Sequence, residues 1–237
     1  MHTKLPKKVR WILLASLFAP SMLLANGGDM MGGSGGDSNR EINVPESRTP
    51  ADIARTAYND GVRAVKLADK YETEALQEKR DDRKAKSMDR TKKQYEKART
   101  YFAQAVEQQA TMHEAWNYVG YTSRKLGEAE KALEAYAEAL RLKPGYPDAI
   151  EYRGVAYLAL NRLDEAKEAY MTLLGGDRKL AGKLMAEMQG WVAARRSDPA
   201  GVTAEQLDSF AQWVTERAAV AQQTASLGTH GSTTTWN

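Results

Sequence analysis

The chain has 237 residues, 42% hydrophobic and 27% charged, enough for one elongated domain or one compact domain with tails. It has no Cys, which excludes disulfides, thiolate metal sites and a lipid anchor on an N-terminal Cys. The formal charge is +3, but Lys4, Lys7, Lys8 and Arg10 all sit at the N-terminus. Without these four, 30 basic residues face 31 acidic ones, a net charge of −1, and the overall balance calls for neither nucleic acid nor an anionic surface.

The basic head is followed by the apolar run "WILLASLFAPSMLLA", which ends at the small residue Ala25. This is the layout of a secretory signal peptide over residues 1–25, so the expected location is the periplasm or outside the cell. The run is short for a membrane span and is interrupted by Pro20. The alternative is an uncleaved N-terminal anchor, the one case in which a membrane contact is expected. Residues 26–48 are Gly-rich and predict a flexible linker. A phosphate-binding loop is excluded there, because no Lys-Ser/Thr pair and no helix start follow the glycines at the required spacing.

Thr49, Pro50 and Asp52 form a helix-start signal. Ile53, Ala57, Gly61, Ala64, Ala68 and Tyr71 then keep to one helical stripe. The charged stretch at about 74–92 is expected to be an insertion: a long first helix passing its partner, then a charged loop, with a second helix near 92–109. Its basic residues outnumber its acidic ones, so a nucleic-acid or lipid-headgroup site is the alternative; no aromatics interleave the charges, and the expectation is a solvated helical extension.

From here the chain repeats itself every 34 residues. Trp116 maps onto Ile150, Gly120 onto Gly154, Ala132 onto Ala166 and Tyr136 onto Tyr170; stepping back, Phe102 maps onto Tyr136. The clearest copies are 113–146 and 147–180. Small residues at Gly120 and Gly154 are expected to face Ala132 and Ala166 where two helices cross, while Phe102, Tyr136 and Tyr170 fill the gap towards the neighbouring pair. Gly127 and Asn161 stand at turns that favour positive φ, and Pro144 ends a helix. Farther on, Gly175 and Gly176 stop a helix, Asp177 can cap the next, and Leu184, Met188 and Trp191 stripe it. Thr203 and Gln206 suit a capping box before a closing helix. Residues 223–237 read as a disordered tail.

Trp116, Val119, Gly120, Ala132, Tyr136 and Pro144 in one copy, and Gly154, Tyr157, Ala166 and Tyr170 in the next, resemble the tetratricopeptide repeat (TPR), as in exported bacterial-type TPR proteins. Ser123 departs from the usual aromatic and Arg153 from the usual Leu. The resemblance implies an all-α, right-handed solenoid of about three to four helix pairs over residues 49–222, with a C-terminal capping helix. It also implies a scaffold or adaptor that binds another polypeptide, here an envelope protein, through a concave face lined by the first helix of each pair. On this chain that row is Tyr58, Val62, Asn117, Tyr121, Arg124, Glu151, Val155 and Leu158. TPR domains that clamp a terminal carboxylate carry Lys, Asn and Arg at chosen positions; only Asn117 and Arg124 suit that here. A row this apolar is equally compatible with filling by the protein's own chain.

Nothing in the sequence assembles an enzyme. The three His residues, His2, His113 and His230, are far apart and match no metal-ligand spacing. No cofactor, small-molecule substrate or nucleic acid is expected.

Overall fold

The computed structural model describes residues 48–230, which form eight α-helices and, among the described residues, no strand. The expected signal peptide, nearly all of the Gly-rich linker and the last seven residues of the tail lie outside the described residues. The chain divides into two compact units, one ending at Ala110 and one beginning at Thr111.

The first unit is a hairpin of α1 (Pro50–Gln77) and α2 (Asp81–Gln108). Thr49 caps α1: its hydroxyl accepts from the Asp52 backbone N–H at 3.2 Å and donates to the Asp52 carboxylate at 2.7 Å. Ala54, Ala57, Gly61, Ala64, Val65, Ala68, Glu72 and Ala75 form the buried stripe of α1. It meets Thr91, Tyr95, Ala98, Phe102 and Ala105 of α2. The Tyr95 hydroxyl reaches Asp69 Oδ1 at 2.6 Å and Glu72 Oε2 at 3.1 Å, tying the two helices beyond the apolar core.

The expected charged loop is not a loop. Only residues 78–80 connect the helices, and residues 81–90 are the first turns of α2. The reason lies in propensity and charge. The segment is rich in Lys and Arg and has no Gly or Pro, and Asp81 and Asp82 stand in its first turn, where the helix dipole favours anions. It escapes a periodicity reading because none of its residues is fully buried.

The second unit contains α3 (His113–Lys125), α4 (Ala129–Leu142), α5 (Pro147–Ala159), α6 (Leu163–Gly176), α7 (Arg178–Ser197) and α8 (Ala204–His230). The first helix of each pair packs on the next, α3 on α5 and α5 on α7, while α4, α6 and α8 pack behind α3, α5 and α7. The turns follow the sequence reading: Gly127 and Asn161 take φ of 85° and 58°, and Gly145 after Pro144 takes 77°. Asp177 caps α7 by accepting from Leu180 N at 3.0 Å. Thr203 and Gln206 exchange reciprocal bonds of 3.0 and 3.1 Å before α8.

The glycines do open the crossings, but not towards the expected Ala132 and Ala166. A Cβ on Gly120 would meet the Tyr136 ring at 2.5 Å, and one on Gly61 would meet Phe102 at 2.7 Å. On Gly154 it would meet Leu184 of α7 at 2.7 Å and Ala169 at 3.2 Å. The ring of each second helix is too large to fit unless the residue facing it has no side chain. In the third pair, α7 supplies the filler instead, and Tyr170 turns to Trp213 of α8 (5.6 Å). Ala132 and Ala166 are wholly buried elsewhere in the same layers. Trp116 and Tyr157 are half-buried, and Pro144 is exposed.

Trp191, Phe210 and Trp213 close the end of the stack, with Trp191 edge-on to Phe210 at 5.3 Å. Helix α8 runs on to His230, so the expected disorder from residue 223 does not hold for 223–230. That segment has Ala and Gln and no Pro to stop the helix. Among the described residues no helix is long and apolar enough to cross a membrane.

Candidate functional site

Helices α3, α5 and α7 neighbour one another in order, so the side chains on their shared face form a row. Helical spacing places Asn117, Tyr121 and Arg124 together on α3, and Glu151, Val155 and Leu158 together on α5. Six of the eight expected residues therefore belong to one unit. Tyr58 and Val62 belong to α1 of the other. Both are half-buried, and the Tyr58 ring meets Phe102 edge-on at 5.8 Å.

The row is polar at α3 and apolar towards α7. Leu158 is 0% exposed and its carbonyl accepts a 2.7 Å bond from the Trp191 indole, so it is core and offers nothing to a partner. Val155 is buried in the same cluster. The polar end is built around Arg124. Its guanidinium lies over the rings of Tyr121 (5.4 Å) and Tyr152 (5.8 Å), and the Tyr136 hydroxyl faces it. Burial works against the Arg124 charge, but Tyr136, Tyr121 and Glu151 outweigh it and hold its pKa above the usual guanidinium value.

Glu151 is 6% exposed and makes no hydrogen bond or ion pair among the described residues. Burial pushes its carboxyl up to about 7, against the pull of Arg124 and Lys183 and with the help of Glu187 and Asp148. Asp148, one turn earlier, is raised for the same first reason. Asn117 is 2% exposed, and its Oδ1 has no hydrogen-bond partner; neither has Nε of Arg124. Asn117 and Arg124 thus each keep a buried atom with unused bonding capacity, beside the Glu151 carboxyl on the adjoining helix.

Two tyrosines complete the cluster and are absent from the sequence-based row. Tyr118 meets Tyr121 at 6.2 Å, and Tyr121 meets Tyr152 at 5.2 Å. A signal for them exists: Tyr118 and Tyr152 are one 34-residue period apart. Lys183 and Glu187 of α7 also act on the site electrostatically, and no local pattern marks them. Among the described residues, no group of three His, Cys, Asp or Glu could hold a metal ion.

Stacked helix pairs whose first helices form a continuous face define a helical-repeat scaffold. Two family models described as tetratricopeptide repeat match the chain, one over residues 91–147 and the other over 124–188. The first match starts at Thr91, the first buried residue of α2, and leaves the exposed turns before it outside. A search of curated proteins finds no match. Residues 91–188 thus match tetratricopeptide repeats, which serve in general as scaffolds for contact between polypeptides.

Proposed function

We propose that this protein is an exported adaptor that holds another polypeptide against the face of α3, α5 and α7. One observation carries the reading: Oδ1 of the buried Asn117 and Nε of the half-buried Arg124 have no hydrogen-bond partner among the described residues, beside the buried Glu151 carboxyl on the adjoining helix. A buried polar atom without a partner costs roughly 1–3 kcal/mol. A bound polypeptide, with backbone donors and acceptors, supplies the missing bonds and recovers that cost. Tyr118, Tyr121 and Tyr152 add the aromatic area that anchors such contacts. The basic head and apolar run at residues 4–25 support export, and mass spectrometry of the protein recovered from envelope and medium checks for a start near Asn26.

The binding test compares wild type with Asn117→Ala, Arg124→Ala and Tyr152→Ala in partner capture from envelope extract, each variant first shown to melt like wild type. Leu158 is left out because its replacement breaks the core. Loss of one anchor should weaken capture by about thirtyfold, from roughly 2 kcal/mol. Undiminished capture of the same polypeptide by all three variants would move the binding site off this face.

A further inference from the structure

Helical folding of residues 81–108 changes what the charged stretch can do. On a loop its cations would be scattered; on α2 the spacing 83, 86, 90, 93, 97 puts Arg83, Lys86, Arg90, Lys93 and Lys97 on one stripe. All five are exposed, and no acidic residue interrupts the stripe. The fourteen helical steps from Arg83 to Lys97 make it about 21 Å long. Asp82, Asp89 and Glu96 form the neighbouring row, where they pair with Arg80 (3.0 Å), Lys93 (2.8 Å) and Lys92 (3.9 Å). Arg83, Lys86, Arg90 and Lys97 have no carboxylate partner among the described residues.

The charge is also local. Between Lys79 and Arg99 ten basic residues face four acidic ones, whereas from Thr111 to His230 fourteen basic residues face sixteen acidic ones. Core packing does not account for the outer turns: of residues 81–90 only Ser87 and Met88 are half-buried and the rest are exposed, and the family match leaves them out.

We propose that the α2 stripe docks this protein onto an anionic phospholipid surface. Charge complementarity and shape select that occupant. A straight row of long, flexible cations meets a flat sheet of phosphates along its whole length, and four to eight Lys or Arg on a helix suffice for such binding. Single-stranded nucleic acid is the lesser fit because its bases need open aromatic faces. The rings beside the stripe are half-buried, and each already carries a cation over one face: Arg90 over Tyr71 at 4.6 Å and Lys97 over Tyr101 at 5.7 Å. The inference is independent of the α3–α5–α7 face.

The test is co-sedimentation of the full chain with vesicles of phosphatidylcholine alone and of phosphatidylcholine with about one third phosphatidylglycerol, a fraction chosen to give a strongly anionic surface. Wild type is compared with Arg83→Gln/Lys86→Gln/Arg90→Gln. Both carry the same basic N-terminus, so their difference reports the stripe. Each basic residue near such a surface is worth roughly fivefold, so the triple variant should partition about 100-fold more weakly, and added salt should weaken wild type. A control, Lys131→Gln/Arg141→Gln/Lys179→Gln, should bind like wild type. If the triple variant misfolds by circular dichroism, Arg83→Gln/Lys86→Gln, which spares the Tyr71 contact, carries the test with about a 25-fold loss. The proposal is overturned by equal binding of wild type and stripe variants, by equal loss in the control, or by stripe-dependent capture of an oligonucleotide with none of vesicles.

Discussion

Gly120 lies so close to Tyr136 that a Cβ at position 120 would stand 2.5 Å from the ring, closer than any real Cβ contact. The same relationship joins Gly61 and Phe102 in the first hairpin. The repeat thus rests on a pairing of a residue with no side chain and a wholly buried ring, which fixes how deeply the two helices of a pair can cross.

Gly120→Ala should therefore destabilise the protein by roughly 1–3 kcal/mol through overpacking, although Ala is the better helix former by about 1 kcal/mol. Gly182→Ala on α7 is the contrast: a Cβ there meets nothing within 4 Å, and the change should stabilise by roughly 0.5–1 kcal/mol. Urea melts of the two variants read the opposite signs. Equal effects would mean that the 120–136 crossing is looser than described.

Much of this pairing is legible in sequence, and part is not. The 34-residue spacing of Gly, Ala and Tyr announces helix pairs, and the caps at Thr49, Asp177 and Thr203 follow from single residues and their neighbours. Which side chain a glycine receives depends on the crossing itself, so Ala132 and Ala166 were the expected partners where Tyr136 and Leu184 are found. Leu158 shows the same limit at the site. Its helical spacing from Glu151 and Val155 puts it in the row, but only the position of α7, with Trp191 bonded to its carbonyl, makes it core. Residues 81–90 carry no apolar period, and their helix is set by propensity and end charges alone.

The hairpin α1–α2 gives a second prediction. Tyr95→Phe removes the hydroxyl shared by Asp69 and Glu72 while keeping the ring, and Glu72 is buried. The loss should be roughly 1–3 kcal/mol, read by thermal denaturation. A variant as stable as wild type would show that the two carboxylates are satisfied without it.

Capping gives a third. Asp177→Ala deletes the acceptor for Leu180 N and should cost about 1 kcal/mol, with Asp177→Asn retaining most of it. Loss of the same size in both variants would assign the effect to charge, not to the cap.

The pH dependence of stability follows from Glu151. Its folded pKa, about 7, lies above the ordinary 4.5, so the native state holds this proton more tightly than the unfolded chain. The stabilisation is complete below about pH 4.5 and is lost as pH rises through about 7. Glu151→Gln, which keeps the neutral form, should match wild type near pH 4.5 and exceed it by up to roughly 3 kcal/mol at pH 8. Denaturant melts of both proteins across this range measure the difference. A constant gap from pH 4.5 to 8 would mean that Glu151 does not titrate there.

The central claim is that the face of α3, α5 and α7 holds another polypeptide. The most direct measurement places a photo-crosslinking phenylalanine analogue at Tyr152, on that face, or at Ala137, exposed on α4 behind it, and irradiates cells that make the protein. The account predicts a discrete adduct with a second polypeptide from position 152, abolished by Asn117→Ala/Arg124→Ala, and none from position 137. An adduct from position 137 alone, or one from 152 that persists in the double variant, would contradict it.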